Sequence, residues 1–237
     1  MINPKVIDLI FKDKKVLLFD LDGTLVDSAP DLALAVNDML TQLGRNIFSA
    51  ELIRSWVGNG AQTLVKRALS GKIEIDELID PEVFNKALAV FLESYEKNLC
   101  VETVTYANVL ETLQDLGSKD FRLALVTNKP FDFIEPLLIG LGLSNIFEFC
   151  LGGDSLSKKK PDPMPLLHVC ESLQVDVSEC VMIGDSKNDI LAAKAAGMQS
   201  IGVSYGYNYG EAISAYEPET VVDDMYEIIG LLGESIV

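Results

Sequence analysis

Short apolar segments alternate with amphipathic stretches along the chain, and this alternation limits the possible folds more than any other feature. The apolar segments lie at residues 16–19, 123–126, 147–151, 181–183 and 200–203. Segments that are apolar at nearly every position are typical of strands buried on both faces, as in a parallel sheet. We therefore predict an α/β fold, a parallel sheet sandwiched by helices, with ligands bound at the carboxyl ends of the strands.

One interval, between residues 29 and 100, lacks strand signals. Helical patterns cover residues 31–43, 50–57, 61–69 and 81–98, with glycines or a proline at several of their ends. An all-helical block between the first and second strands indicates an inserted domain. We predict a discontinuous sheet domain of residues 1–28 and 101–237 and an inserted helical cap domain of residues 29–100.

The chain is strongly acidic, with 19 Lys and Arg against 36 Asp and Glu and a formal net charge of −17. We expect neither nucleic acid nor membrane as a partner, and an anionic substrate then requires a metal ion or a few local cations. No apolar run reaches the ~18 residues of a membrane span. Lys5 and Asp8 interrupt the first apolar stretch, unlike a secretory signal. The four cysteines form no C-x-x-C pair, so we expect reduced thiols in a cytoplasmic protein. These patterns do not specify the oligomeric state.

Polar residues follow several of the apolar segments, where a parallel sheet binds its ligands. They are Asp20, Asp22, Thr127, Asn128, Lys160, Asp185 and Asp189. The carboxylates of Asp20, Asp22 and Asp185 offer hard oxygen ligands that suit Mg²⁺. Thr127 and Lys160 offer a hydroxyl and an ammonium for phosphate oxygens. Since a carboxylate is able to attack phosphorus, these residues together favour phosphoryl chemistry.

Several of these residues also have a purely structural interpretation. An Asp-x-Asp pair is common in turns, and Asp189 is a favoured residue type in the first turn of a helix. We expect Ser28 to cap the first inserted helix and Lys158 and Lys159 to be solvated. Four polar segments in order, each at a strand end or a helix start, nevertheless favour one common site.

The four polar segments resemble the four motifs of the haloacid dehalogenase (HAD) superfamily, and the resemblance spans nearly the whole chain. Residues 20–28, DLDGTLVDS, carry the most specific motif. The resemblance implies a Rossmann-like sheet with a helical cap inserted after the first strand. It also implies a Mg²⁺-dependent hydrolase of small phosphate monoesters that acts through an aspartyl-phosphate. Thr127, Asn128 and Lys160 would hold the phosphoryl group.

The resemblance also implies roles for the acidic residues. Asp20 would be the nucleophile, and Asp22 would protonate the leaving group and later activate water. Asp20 and Asp185 would bind Mg²⁺ through their side chains and Asp22 through its backbone carbonyl. Asp189 would support the metal directly or through water. Asp22 also separates the chain from the dehalogenases of the superfamily, which lack this second Asp.

Two further stretches, residues 56–61 and 204–210, resemble superfamily members that hydrolyse 2-phosphoglycolate. This resemblance implies 2-phosphoglycolate as the substrate, with Gly58, Asn59 and Gly60 of the cap as candidate substrate contacts. A cation or a helix N-terminus would then meet the substrate carboxylate. The candidate cap cations are Arg45, Arg54, Lys66 and Arg67. A β-phosphoglucomutase-like mutase and a broad-specificity small-metabolite phosphatase share the same motifs and stay open as alternatives.

Residues 202–206 match G-x-S-x-G, the nucleophile motif of α/β-hydrolases. That triad requires a histidine after the serine, whereas the only histidine, His168, precedes Ser204. An esterase is therefore disfavoured, and we expect His168 to be structural. A non-catalytic phosphate-binding module is also disfavoured, because such a protein would tolerate the loss of a catalytic group and none is missing.

Overall fold

A six-stranded parallel sheet forms the centre of the computed structural model, which describes residues 11–232. The strands in chain order are β1 (Val16–Phe19), β2 (Val26–Asp27), β3 (Val104–Thr105), β4 (Arg122–Val126), β5 (Phe149–Leu151), β6 (Cys180–Gly184), β7 (Gln199–Val203) and β8 (Thr220–Val222). The sheet order is β5-β4-β1-β6-β7-β8, and β2 pairs with β3 in a separate antiparallel ribbon. The predicted Rossmann-like α/β fold is confirmed.

Helices cover both faces of the sheet. In chain order they are α1 (Ala29–Gln42), α2 (Ala50–Arg54), α3 (Ala61–Ser70), α4 (Pro81–Lys97), α5 (Val109–Ser118), α6 (Ile134–Gly140), α7 (Met164–Leu173), α8 (Lys187–Ala196) and α9 (Glu227–Leu232). Leu17 and Phe19 of β1 belong to a cluster with α5, α6 and α9, whereas Val16 and Leu18 belong to one with α7 and α8. Because both faces are covered, the strands need no polar face. None of the helices within residues 11–232 has the length and apolar character needed to cross a membrane.

The helices α1–α4 lie between β2 and β3 and share a hydrophobic cluster, to which the sheet domain adds Tyr207. It includes Trp56, the only tryptophan of the chain, together with Phe91 and Tyr95 of α4. Ser49 and Asp80 cap α2 and α4 by accepting hydrogen bonds from backbone N–H groups. The bounds of these helices differ from the predicted ones by up to three residues. The domain limits remain a prediction.

Three strands have no counterpart in the sequence analysis. The strands β2 and β3 contain two residues each, so no alternation is visible in them. The strand β8 is a three-residue edge strand that is only partly buried. In addition, β5 begins at Phe149, two residues later than expected.

The strands that carry the polar residues are neighbours. Phe19 of β1 is in register with Leu125 of β4 and Ile183 of β6. The polar residues after these three strands therefore emerge side by side at one edge of the sheet. In open α/β sheets this is where the order of strands reverses and a crevice forms for ligands.

Candidate active site

Three carboxylates meet at the carboxyl edge of the sheet. Asp20 follows β1, Asp185 follows β6 and Asp189 lies in the first turn of α8. Each offers a carboxylate oxygen within 4.8 Å of the other two, and all three residues are buried. Three buried acids at this spacing repel one another whenever they are ionised.

Burial raises the pKa of Asp20 to about 7, and the charge of Asp189 acts in the same direction although Lys160 opposes both. Burial and the charge of Asp20 also raise the pKa of Asp185 well above its ordinary value. A divalent cation would offset this unfavourable charge, and carboxylate oxygens are the ligands that Mg²⁺ prefers. The residues present therefore fit a divalent metal.

The orientation of Asp185 is fixed by hydrogen bonds to both of its carboxylate oxygens. Thr24 Oγ1 donates to Oδ1 at 3.0 Å, and the backbone N–H of Tyr207 donates to Oδ2 at 2.7 Å. Two glycines make room for this carboxylate. Gly23 has a φ of +94°, and a Cβ atom there would lie 2.3 Å from Asp185 Oδ2. A Cβ atom on Gly206 would lie 2.1 Å from Asp185 Cβ, so only glycine fits.

Lys160 contacts two members of the carboxylate cluster, Asp20 and Asp189. Its ammonium lies 2.9 Å from Asp20 Oδ1 and 2.7 Å from Asp189 Oδ1, and it donates to the carbonyl oxygen of Val126 at 2.5 Å. The side chain is 2% exposed. Burial alone would lower the pKa of Lys160, but the charges of Asp189 and Asp20 raise it. The ammonium therefore stays charged beside Asp20.

Asp189 lies at a helix start and also faces the carboxylate cluster. Its Oδ2 accepts hydrogen bonds from the backbone and the hydroxyl of Ser186, which closes a capping box at the start of α8. Its Oδ1 faces Lys160 and the carboxylate cluster. The same residue thus begins the helix and contributes charge to the site.

Asp22 lies apart from the carboxylate cluster and pairs with Lys129, a residue to which the sequence analysis gave no role. The Lys129 ammonium donates to Asp22 Oδ1 at 2.8 Å and Oδ2 at 3.0 Å. Burial alone would lower the pKa of Lys129, but the charge of Asp22 raises it above its ordinary value. The only sequence feature that indicated a role for Lys129 was its position directly after Thr127 and Asn128.

The hydroxyl of Ser28 donates to Asp22 Oδ1 at 2.5 Å, so the expectation that Ser28 caps the first inserted helix was wrong. The hydroxyl of Tyr207 accepts hydrogen bonds from the backbone N–H groups of Ser28 and Ala29 instead, at 2.8 and 3.2 Å. Tyr207 in turn donates to Asp27 Oδ1. A residue 179 positions away therefore provides the cap, because the serine is used at the site.

Thr127 and Asn128 extend from β4 into the same region. Thr127 Oγ1 accepts a hydrogen bond from the Lys129 backbone N–H at 3.1 Å. The Asn128 side-chain amide donates to the carbonyl oxygens of Gly58 and Lys160. Asn128 thus joins the loop of the helical block to the lysine beside Asp20.

Only part of the predicted substrate loop faces the site. Gly58 and Gly60 line a cavity together with Asp20 and Asp22. The side chain of Asn59 is directed toward the sheet domain, where its Oδ1 accepts a hydrogen bond from the Tyr209 hydroxyl at 2.7 Å.

Lys159 also contacts this loop, because its ammonium donates to the Asn59 carbonyl oxygen at 2.6 Å. The expectation that Lys159 is solvated was therefore wrong. Burial, together with the charges of Arg67 and Lys66, lowers its pKa.

Ser204 and His168, which a disfavoured esterase triad would use, lie outside the site. The hydroxyl of Ser204 donates to Asp223 Oδ1 at 2.5 Å on the exposed surface. His168 lies on α7, where its ring packs edge-on against Phe149 at 6.0 Å. The four cysteines form no disulfide within residues 11–232.

The parallel sheet and the cluster of acids at its carboxyl edge are features of a family of hydrolases. Residues 17–203 match the family model described as haloacid dehalogenase-like hydrolase, and the chain belongs to this family. The resemblance seen in the four motifs is thereby confirmed.

Individual relatives of the chain have more specific names than the family as a whole. The chain is 54% identical over 218 residues to a phosphoglycolate phosphatase from Colwellia psychrerythraea, covering 92% of this chain and 96% of the relative. It is 51% identical over 221 residues to a phosphoglycolate phosphatase from Psychrobacter arcticus, covering 93% and 96%. A crystal structure from Haemophilus somnus, described as a predicted phosphoglycolate phosphatase, has a TM-score of 0.84 at 38% identity and covers 91% of this chain and 96% of its own. The prediction of a phosphatase is therefore confirmed.

Proposed function

We propose that this phosphatase is a Mg²⁺-dependent hydrolase that forms an aspartyl-phosphate on Asp20 and that its substrate is 2-phosphoglycolate. One observation carries the mechanism: Asp20 and Asp22 line the same cavity. Lys160 pairs with Asp20, which also belongs to the carboxylate cluster. The names of the relatives from Colwellia and Psychrobacter support the substrate.

In the first step a carboxylate oxygen of Asp20 attacks phosphorus, and the bond from phosphorus to the ester oxygen breaks. Asp22 donates its proton to the departing alkoxide. The ammonium of Lys160, 2.9 Å from Asp20 Oδ1, attracts the oxygens of the transferring phosphoryl group. Thr127 and Asn128 lie in the same cavity wall and would position that group.

In the second step water attacks the phosphorus of the aspartyl-phosphate. Asp22, now ionised, accepts a proton from this water, and the bond between phosphorus and Asp20 breaks. Inorganic phosphate leaves and both carboxyl groups return to their starting states. A group that alternately donates and accepts one proton needs a fixed position, which Ser28 and Lys129 give to Asp22.

Mg²⁺ would supply charge neutralisation for the carboxylates and for the phosphoryl oxygens. Asp20 and Asp185 would hold it through their side chains and Asp22 through its backbone carbonyl. Asp189 would contribute directly or through water. On a chain with a net charge of −17, this site provides the local positive charge that an anionic substrate requires.

The test is phosphate release from 2-phosphoglycolate, β-glucose 1-phosphate and several nucleoside monophosphates, with and without Mg²⁺. We expect a strong preference for 2-phosphoglycolate that depends on Mg²⁺, and acid-quenched protein should carry phosphate on Asp20. Weak and similar phosphate release from all of these esters would refute 2-phosphoglycolate as the substrate but would still agree with a phosphatase mechanism. Isomerisation of β-glucose 1-phosphate without phosphate release would replace the hydrolase by a mutase.

A further inference from the structure

The cavity that contains Asp20 and Asp22 is small and mostly apolar. Its volume is about 40 Å³, space for about three water molecules. Helices of the inserted block supply apolar walls, including Leu32, Leu64 and Phe91. Any charge on a leaving group in this space needs a partner inside the cavity.

The four candidate cations of the helical block are all directed away from this cavity. Arg45 donates to Leu69 O, Arg54 to Asp27, Arg67 to Trp56 O, and Lys66 lies over the ring of Phe84. The expectation of a cap cation at the substrate therefore has no support in the described residues. Among the lining residues within positions 11–232, the only cation is Lys129, from the sheet domain.

Lys129 retains capacity for a further hydrogen bond. Its ammonium has three N–H donors, and the two oxygens of Asp22 account for two of them. The side chain is 2% exposed, so a substrate carboxylate would meet it away from bulk water. Charge-assisted hydrogen bonds formed in such a place are strong.

Tyr95 supplies a second donor beside Lys129. Its ring centroid lies 4.9 Å from the Lys129 ammonium, and the residue is 2% exposed. Its hydroxyl is buried and has no hydrogen-bond partner within the described chain, although a buried hydroxyl without a partner is costly. Burial raises the pKa of Tyr95 to about 12, so the hydroxyl keeps its proton at neutral pH. An acceptor on the substrate would satisfy it.

The first turn of α3 adds a third element. Gly60 and Ala61 line the cavity, and no side chain caps this ten-residue helix at Gly60. The N–H groups of an uncapped first turn attract anions. The ammonium, the unpartnered hydroxyl and the helix start therefore surround one small space.

We propose that Lys129, the Tyr95 hydroxyl and the first turn of α3 form a subsite for a carboxylate on the leaving group. The preferred substrates are then short phosphate esters of 2-hydroxy carboxylic acids, and the subsite determines specificity within that class. This proposal rests on the proposed function, because it places the leaving group beside Asp22.

The test compares kcat/KM for 2-phosphoglycolate with kcat/KM for 2-hydroxyethyl phosphate, in which a hydroxymethyl group replaces the carboxylate. Lys129→Met should lower the ratio of these two values by about 10- to 100-fold, because a charge-assisted hydrogen bond is lost. Tyr95→Phe should lower it by about fivefold. Lys66→Met removes a cation that does not face the cavity and should leave the ratio unchanged. A general loss of catalysis would reduce both values equally and leave the ratio as it was.

Tyr95→Phe removes a hydroxyl for which residues 11–232 supply no hydrogen-bond partner. It therefore gives a second test if Lys129→Met does not fold. In this variant the inhibition constant for glycolate should rise while that for inorganic phosphate stays the same. If the variants that fold keep the wild-type preference for 2-phosphoglycolate over 2-hydroxyethyl phosphate, the proposed subsite is refuted. Equal hydrolysis of both esters by the wild type would instead refute the assigned substrate, and no hydrolysis of either would refute the proposed function.

Discussion

Lys129 and Asp22 are 107 positions apart in the chain and form a two-oxygen ion pair inside the candidate active site, at 2.8 and 3.0 Å. The side chains are 2% and 12% exposed. Neither side chain belongs to the carboxylate cluster formed by Asp20, Asp185 and Asp189. The site therefore contains two separate electrostatic units, one suited to a metal and one suited to proton transfer.

Removal of Lys129 should destabilise the protein through the partner that it leaves behind. We expect Lys129→Met to lower the free energy of unfolding by about 3 kcal/mol, because Asp22 becomes a buried charge without a cation. The double variant Asp22→Asn with Lys129→Met should regain part of this loss. Urea unfolding of the wild type and of both variants checks both statements. A double variant no more stable than Lys129→Met alone would contradict them.

Substitution of the two candidate catalytic acids should affect turnover to different degrees. Asp20→Asn should abolish steady-state hydrolysis of 2-phosphoglycolate, because no other group at the site replaces the nucleophile. Asp22→Asn should slow it by about 10²- to 10⁴-fold, the usual effect of general acid–base catalysis. Asp115→Asn, which removes an acid paired with Lys119 on α5, serves as the control and should keep full activity. Near-normal rates in Asp22→Asn would exclude its role in proton transfer.

The stability of the metal-free protein should fall as the pH rises from about 4 to about 7. Folding raises the pKa of Asp20 from 3.8 to about 7, so in this window the folded state holds a proton that the unfolded chain has lost. Asp185 acts in the same direction. Because Mg²⁺ requires ionised carboxylates, it should raise the melting temperature more at pH 8 than at pH 6. Thermal unfolding with Mg²⁺ or with EDTA at both pH values is the measurement. An equal or larger effect of Mg²⁺ at pH 6 would argue against a carboxylate metal site.

A methyl group on Gly206 should displace Asp185 and so disturb the proposed metal site. A Cβ atom there would lie 2.1 Å from Asp185 Cβ, so Asp185 or the 203–207 loop has to move. We expect Gly206→Ala to cost about 1–3 kcal/mol in unfolding free energy and to weaken Mg²⁺ binding. The matched control is Gly117→Ala on α5, where a Cβ atom meets nothing within 4 Å. That change should stabilise the helix by up to about 1 kcal/mol. Equal behaviour of the two variants would refute the role assigned to Gly206.

Five of the six strands of the parallel sheet were predictable because they read as apolar runs, and four of these five are almost fully buried. Residues next to those runs, such as Asp20 and Asp185, were placed together correctly because parallel strands end at one edge. Their chemical roles follow from the family resemblance and stay predictions until they are measured. The strands β2, β3 and β8 were missed because they contain only two or three residues each.

Side-chain direction was the information that the sequence could not supply. Lys129 stands next to two predicted site residues, yet nothing in its neighbours indicates that it reaches Asp22. Ser28 has the sequence position of a helix cap and bonds to Asp22 instead. Arg54 had the right charge for a substrate contact but pairs with Asp27, which also accepts a hydrogen bond from the hydroxyl of Tyr207. In each case a contact between distant segments overrides the local preference.

The position of the single tryptophan gives the protein an optical reporter. Trp56 is 1% exposed and lies edge-on to Phe48 at 5.2 Å, within the cluster shared by α1–α4. Its fluorescence therefore reports on the surroundings of one residue in the helical block, whereas far-ultraviolet circular dichroism reports on the whole chain. Unfolding curves that coincide by both methods would mean that the block and the sheet melt as one cooperative unit. Curves that separate would mean that the block melts as a unit of its own.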